Sequence, residues 1–434
     1  MRRLATLRSF ELPPSAAGSG AYGWVAVLLL WLVCFFNYAD RQAFFSIFPL
    51  LQTQMGLTTV QLGLLGSSFA VVYGLGAPLA GFVVDRIRRK TAILGGLQFW
   101  SLICMLSALS RNFFQLFTFR ALEGAGETFY YPAALSMLSD YHGQRTRSRA
   151  LGILQTSVYA GTVGGGYWAG VLAQRHGWRA AVFLFGTLGA LLGLALVRWL
   201  REPVRGSADR ELKSNPRPLS FRAMGSLAGN KSLLGLMAAF ASANFLAMVL
   251  LTWMPTYLYS RFHLSLAMAA LDATAFPQLA SMGGSVCGGY LADVWARGNR
   301  GGRVLVQSVG VFAGAPFVVL CGLGSSLQLV ILALICWGFF KGMYDSNIFA
   351  SAFDVVPMAS RGTVSGWMNC VGWLVGGGLA PVMIGYMAKY TSLGNAIALS
   401  AAIYVLAGIV LIVTMRFFLP GDTRRLQTEQ VAAG

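Results

Sequence analysis

Twelve long apolar stretches run along this chain, and nearly all of the charged residues fall between them. The stretches cover residues 24–50, 60–84, 91–110, 112–139, 150–174, 179–199, 233–259, 268–292, 303–323, 326–356, 362–388 and 394–418. A helix needs about 20 mostly apolar residues to cross a bilayer, and a run of about 10–14 suits a soluble core instead. Each stretch therefore predicts a membrane-spanning helix, since an isolated segment in hydrocarbon must satisfy its own backbone groups. The expected class is all-α integral membrane. One long internal segment, 200–231, is polar, and Pro203, Pro216 and Pro218 among its mixed charges mark it as a linker. The predicted organisation is an N-terminal tail (1–23), six helices (24–199), the linker (200–231), six helices (232–418) and a C-terminal tail (419–434).

Composition removes the soluble alternatives. The chain is 56% hydrophobic and 11% charged, with a mean hydropathy of +0.62. The formal net charge of +18 changes the picture through its placement. Of 33 Lys and Arg residues, 25 fall in the termini and alternate loops, 5 fall in the other loops, and Arg41, Arg120 and Lys341 lie inside predicted spans. Loops rich in Lys and Arg stay in the cytoplasm. Both termini are thus expected to be cytoplasmic, in the cell's inner membrane, which requires an even number of spans. The basic residues are spread over seven segments rather than one face, so no nucleic-acid partner is expected.

The first stretch is too long for a cleaved signal and carries Asp40 and Arg41. All six cysteines lie in predicted spans without metal-ligand spacing, and His142, His176 and His263 lie in or near loops. No metal and no cofactor are expected. The same features argue against an intramembrane enzyme, which needs a nucleophile–base pair or a metal.

The two halves repeat. Gly81 and Asp85 recur as Gly289 and Asp293, Asp140, Arg149 and Gly152 as Asp354, Arg361 and Gly366, and Gly164–Gly166 as Gly376–Gly378, at offsets of 208 to 214 residues. A near-constant offset of this kind predicts two pseudo-symmetric six-helix bundles with a substrate site at their interface. Paired repeats with charges of both signs suit alternating access better than a uniform channel lining.

The candidate chemistry lies in the charges inside the spans, which are costly there and functional by default. Asp40 and Arg41 are adjacent on the first span. Arg120, Glu123 and Glu127 on the fourth share one helix face by their i, i+3, i+7 spacing. Lys341 and Asp345 on the tenth stand at i, i+4. A carboxylate in an apolar cavity loses the hydration that favours its charged form, so it can load and release a proton. An arginine stays charged and can hold an anion bidentately. Glu127 is the expected principal proton carrier and Asp40 the second, with Arg41 and Arg120 as partners that switch between carboxylate and substrate. The bland alternative is a static set of ion pairs. Glu123 and Asp345 are expected to support Arg120 and Lys341. Lys341, which the repeat sets opposite position 129, is a candidate contact to an anion from the second half. Tyr38, Tyr130 and Asn347 are candidate substrate contacts, and Tyr73, Tyr131, Trp253, Tyr257, Trp367, Trp373, Asn244, Gln278 and Asn369 are further possible lining residues. Asp85, Arg86, Arg89, Arg149, Asp293 and Arg361 are gating candidates at the basic rim, able to pair across the halves in one state and part in the other. Glycine runs in the fifth and eleventh spans predict close helix approach.

The segment Gly81-Phe-Val-Val-Asp85-Arg86-Ile-Arg88-Arg89-Lys90 resembles the cytoplasmic signature of the major facilitator superfamily, with Arg88 where that pattern has Gly. Asn37-Tyr38-Ala39-Asp40-Arg41, with Arg120 through Glu127 and Pro132, resembles the anion:cation symporters for sugar acids. Arg111 through Glu127, then Ser139-Asp140-Tyr141, also resembles spinster-like lipid transporters. The resemblance spans the whole chain and implies the major facilitator fold, monomeric function, and roles for Asp40, Arg41, Arg120 and Glu127 in coupling proton to substrate. The expected activity is proton-coupled symport of an organic anion such as a sugar acid. The alternatives are a transporter of lysophospholipid or another amphipathic lipid, and a proton-coupled drug exporter.

Overall fold

The computed structural model describes residues 20–143, 146–205, 229–298, 301–357 and 360–433. The tail arginines Arg2, Arg3 and Arg8, most of the predicted linker and Arg300 lie outside these residues. The described residues are helical throughout, with no strand among them.

The helices are α1 (Gly20–Ser46), α2 (Phe48–Met55), α3 (Thr59–Val84), α4 (Arg89–Ser107), α5 (Phe113–Glu127), α6 (Tyr130–Tyr141), α7 (Arg147–His176) and α8 (Trp178–Trp199). After the linker come α9 (Lys231–Phe262), α10 (Leu266–Gly298), α11 (Gly302–Leu323), α12 (Leu327–Phe353), α13 (Arg361–Val371), α14 (Gly378–Tyr390), α15 (Leu393–Leu399), α16 (Ala401–Val413) and α17 (Leu419–Ala433). They make twelve crossings. By length and composition, nine are long and apolar enough for a membrane span among the described residues. The other three are α5 with α6, α7, and α10.

Local chemistry sets the ends. The predicted first stretch runs to residue 50, but α1 stops at Ser46 and Pro49 opens the short α2, which closes on Gly56 at φ 65°. Thr58 and Gln61 then form a reciprocal cap that starts α3. Asn112, Asn230, Ser326 and Ser392 accept backbone N–H bonds that start α5, α9, α12 and α15.

Three crossings are interrupted. The fourth divides into α5 and α6 at Thr128–Phe129. Pro132 explains the break: it has no N–H to give the carbonyl four residues earlier, and its ring crowds that carbonyl. The eleventh has a π-turn at Gly372–Gly377 between α13 and α14. The twelfth has another at Thr414–Phe418 and continues as α17 through the predicted C-terminal tail.

Glycine decides the tightest contacts. A Cβ on Gly165 of α7 would stand 2.3 Å from the Ala39 Cα of α1. A Cβ on Gly376, in the matching glycine run of the second half, would stand 2.7 Å from the Asn244 Cβ of α9. Both glycine runs let backbones meet, as expected of small residues in membranes.

The two six-helix halves meet along two seams. α3 lies against the eleventh crossing, where the Thr59 hydroxyl donates to the Gly385 carbonyl at 3.0 Å. A Cβ on Gly63 would come within 2.4 Å of the Pro381 carbonyl oxygen. α7 lies against α10, where a Cβ on Gly170 would come within 2.6 Å of Ala267. These contacts gather at the end of the molecule away from the basic rim. At the rim, the following hydrogen bonds and ion pairs between described residues stay within one half. Arg89 pairs with Asp140, Glu202 accepts the backbone N–H groups of Arg89 and Lys90, and Arg303 pairs with Asp354 at 2.7 Å. This conformation is closed at the end opposite the basic rim.

Candidate functional site

Five ionisable side chains are buried together where α1 meets α5. Asp40, Arg41, Arg120, Glu123 and Glu127 are each between 1% and 6% exposed. α1 supplies the first two as neighbours facing different surroundings. α5 supplies the other three on one face and ends directly after Glu127.

Arg41 points toward the second half. Its Nε donates to Glu127 Oε2 at 2.5 Å, and its Nη2 donates to Asn37 Oδ1 at 3.0 Å. Its guanidinium carbon lies 4.8 Å from the Tyr38 ring centre, 4.9 Å from Phe69, 4.6 Å from Tyr73 and 5.1 Å from Trp373. Three of these rings come from the first half. Trp373 comes from the π-turn of the second. Aromatic faces attract a desolvated guanidinium by about 2 kcal/mol or more. The remaining nitrogen, Nη1, is buried without a hydrogen-bond partner.

Arg120 is held differently. It pairs with Glu123 one turn along α5 and lies 4.1 Å from the Phe44 ring centre and 4.9 Å from Phe69. Its Nε and Nη2 have no hydrogen-bond partner. Phe69 thus touches both guanidiniums.

Asp40 has no cationic partner among the described residues, and neither carboxyl oxygen accepts a hydrogen bond of normal geometry. Glu127, Glu123, Arg120 and the Trp100 indole surround it. The cluster therefore holds three carboxyl groups and two guanidiniums. With all five ionised it carries one uncompensated negative charge, which a low-dielectric interior resists. One proton on any of the three carboxyls makes it neutral.

Other sequence candidates fall elsewhere. Lys341 pairs with Asp345 within α12, with both side chains partly exposed. Tyr130 is buried in the core of the first bundle, where its hydroxyl donates to the Leu30 carbonyl at 2.6 Å and its ring packs on Trp100. Asn347 gives its amide to the Gly288 and Met343 carbonyls. The Tyr130 hydroxyl and the Asn347 amide nitrogen are thus taken up by backbone carbonyls away from Arg41. Trp253 and Tyr257 likewise donate to the backbone carbonyls of Pro381 and Gly322.

The rim candidates are dispersed. Arg89 is buried and also donates to Ser136. Arg86 stacks on Phe82. Asp85 is exposed, and its carbonyl accepts from Arg205. Asp293 stands 3.8 Å from Arg303, Arg361 lies near the Phe353 ring, and Arg149 is exposed.

Phe44 and Phe69 were not legible as site residues, because an aromatic in an apolar span carries no distinguishing signal. Asp272 was legible and passed over. It is 5% exposed in α10, and an ionisable residue inside a span is itself the signal.

Twelve crossings in two repeated bundles, with mixed-sign charges buried where the halves meet, define a polytopic membrane transporter rather than an enzyme. The family description Major Facilitator Superfamily matches residues 30–381, and the chain belongs to that family. It is 27% identical over 362 residues to an Escherichia coli (strain K12) protein named "Probable L-galactonate transporter", covering 77% of this chain and 79% of that protein. It is 26% identical to human protein spinster homolog 1, covering 93% of this chain and 83% of the relative. The crystal structure of a bacterial homologue of the human lysosomal transporter spinster, inward-facing and unoccupied, superposes with a TM-score of 0.79 at 22% identity. That superposition covers 94% of this chain and 98% of the other.

Proposed function

We propose that this transporter carries an organic anion, such as a sugar acid or similar carboxylate, together with protons by alternating access. The observation that carries the reading is the buried cluster of three carboxyls and two guanidiniums. A single proton resolves its charge, so protonation and anion binding are linked at Arg41. With Glu127 ionised, Arg41 has its counter-ion. With Glu127 protonated, Arg41 is free to take a substrate carboxylate, for which its unpartnered Nη1 is available. Asp40, buried without a cation, is the second proton site. Arg120, braced by Glu123, stays charged near Asp40 and offsets part of the negative charge around it. Lys341 offers a second cation from the other half.

The basic rim faces the cytoplasm, with both termini inside, in the inner membrane. The conformation described is then the inward-facing one, and the rim residues Asp85, Arg86, Arg89, Arg149, Asp293 and Arg361 close the inner gate in the other. The transporter works as a monomer. Labelling intact cells with a membrane-impermeant maleimide tests the orientation: Lys389→Cys is expected to react and Arg425→Cys to react only after lysis.

The function is tested by proton flux in proteoliposomes with an internal pH dye. L-galactonate, other sugar acids and lysophospholipid are added in turn to wild type and to Glu127→Gln. Proton entry evoked by a sugar acid and lost in the variant is expected. Flux evoked only by lysophospholipid would move the assignment to an amphipathic-lipid carrier, a reading that the similarity to spinster homolog 1 supports. Solute movement without protons, equal in both proteins, would overturn the coupling.

A further inference from the structure

Trp373 completes the Arg41 cage from the opposite half of the molecule. Its ring centre is 5.1 Å from the guanidinium carbon, 4.8 Å from Tyr73 and 6.4 Å from Phe69. Asn37 and Glu127, the hydrogen-bonding partners of Arg41, both belong to the first half. The π-turn that carries Trp373 is pressed onto α3: a Cβ on Gly74 would stand 3.1 Å from Leu374 and 3.3 Å from the Trp373 Cβ. One turn farther on, a Cβ on Gly377 would stand 2.8 Å from Ala70. Trp373 therefore joins the central charge of one half to the α3 seam between the halves.

The strength of that join depends on what neutralises Arg41. Paired with an ionised Glu127, the guanidinium attracts the ring weakly. Stripped of its counter-ion, it attracts the ring more, because the ring is then a larger part of its compensation. The same dependence holds for a substrate carboxylate in place of Glu127.

We propose that Trp373 is a coupling residue, whose contact with Arg41 holds the α3 seam shut when the carrier has a proton on Glu127 but no anion on Arg41. This rests on the proton-coupled reading above. A carrier holding only a proton is then slow to reset, and substrate-free proton leak is suppressed. Binding of a carboxylate neutralises Arg41, weakens the tie and frees the halves to move. Arg41 and Glu127 are also faced by Asp40, Tyr38 and Cys34 of α1, Tyr73 of α3, and Arg120 and Glu123 of α5. The π-turn itself, Gly372–Gly377, contains no charged residue.

The test compares Trp373→Leu, Trp373→Phe and Leu374→Ala with wild type in proteoliposomes. Leu374 touches the same stretch of α3 but has no ring. The first readout is proton leak without substrate. The second needs no substrate either: alkylation of Thr59→Cys, placed in the α3 seam, at about pH 5 and about pH 8, on either side of the range in which buried carboxyls titrate, with each rate divided by that of the unfolded protein at the same pH to remove the change in thiolate fraction. Cysteine-matched wild type is expected to show the smaller normalised rate at the lower pH. Trp373→Leu is expected to lose that difference and to leak protons about fivefold faster. Trp373→Phe is expected to fall between, and Leu374→Ala to behave as wild type. A Trp373→Leu protein matching wild type in both readouts overturns the proposal, as does an equal effect from Leu374→Ala or a normalised alkylation rate that ignores pH in wild type. Should Trp373→Leu not fold, an unchanged Trp373→Phe overturns it. If no anion evokes proton flux in wild type, the proposed function falls, while the alkylation readout still decides the role of Trp373.

Discussion

Among single residues, the contrast between the two buried pairs is the most informative. Arg41–Glu127 lies at the meeting of the halves, in a cage of rings drawn from both. Arg120–Glu123 is closed on itself beneath Phe44 and Phe69. Removing one member of a buried pair leaves the other charge uncompensated, at a cost of about 3–5 kcal/mol. Glu123→Ala is therefore expected to lower the unfolding temperature in detergent by several degrees, and Glu123→Gln, which keeps an acceptor for Arg120, by less. Equal stability of Glu123→Ala and wild type would mean that Arg120 finds another anion. The charged members of the cluster were legible because an ionisable residue in an apolar run is conspicuous and helical spacing assigns it a face. The cage was not legible as a unit. Its rings come from positions 38, 69, 73 and 373, and only tertiary packing brings these together. Tyr130 and Asn347 show the converse: polar side chains inside spans whose hydrogen bonds go to backbone carbonyls.

At the scale of the helix, apolar runs located the crossings to within a few residues but could not show where a crossing bends. Each run reads as continuous because apolar content is blind to backbone hydrogen bonding. The break after Glu127 follows from Pro132, and the π-turn at Gly372–Gly377 follows a glycine-rich stretch that packs on α3 and α9. The glycine of closest approach is the place to test helix contact. Gly165→Val would drive a branched side chain into the α1 backbone at Ala39. Overpacking typically costs about 1–3 kcal/mol, and here the obstructing atoms are main chain and cannot rotate aside. Loss of folded protein on size-exclusion chromatography is expected. Gly152→Ala on the same helix, where a Cβ would meet nothing within 4 Å, is expected to fold normally. Equal yields would remove close packing of α1 and α7 as a determinant.

Taken as a whole, the molecule divides its contacts by end. Seams at one end join the halves, whereas the Arg89–Asp140 and Arg303–Asp354 pairs at the basic rim each join a half to itself. If the rim closes in the alternate state, Asp85 and Arg361 are positioned on facing crossings to meet. The double substitution Asp85→Cys with Arg361→Cys is expected to lose transport on oxidation and regain it on reduction, while each single variant is indifferent to both treatments. Transport that continues through a formed cross-link would show that the rim is no gate. The repeat announced two bundles from the sequence, and the charge pattern announced a polar seam, but which end is sealed could be read only from Thr59, Gly63, Gly170 and their partners. One further consequence belongs to the π-turn. In a regular helix each residue advances the azimuth by about 100°, and a π-turn takes up roughly one surplus residue within a turn. Everything beyond Gly377 is therefore rotated relative to the helix before it. Pro381 and Gly385 lie beyond the turn and meet α3 in the shifted phase, so the alignment of the sealed end carries the imprint of one surplus residue.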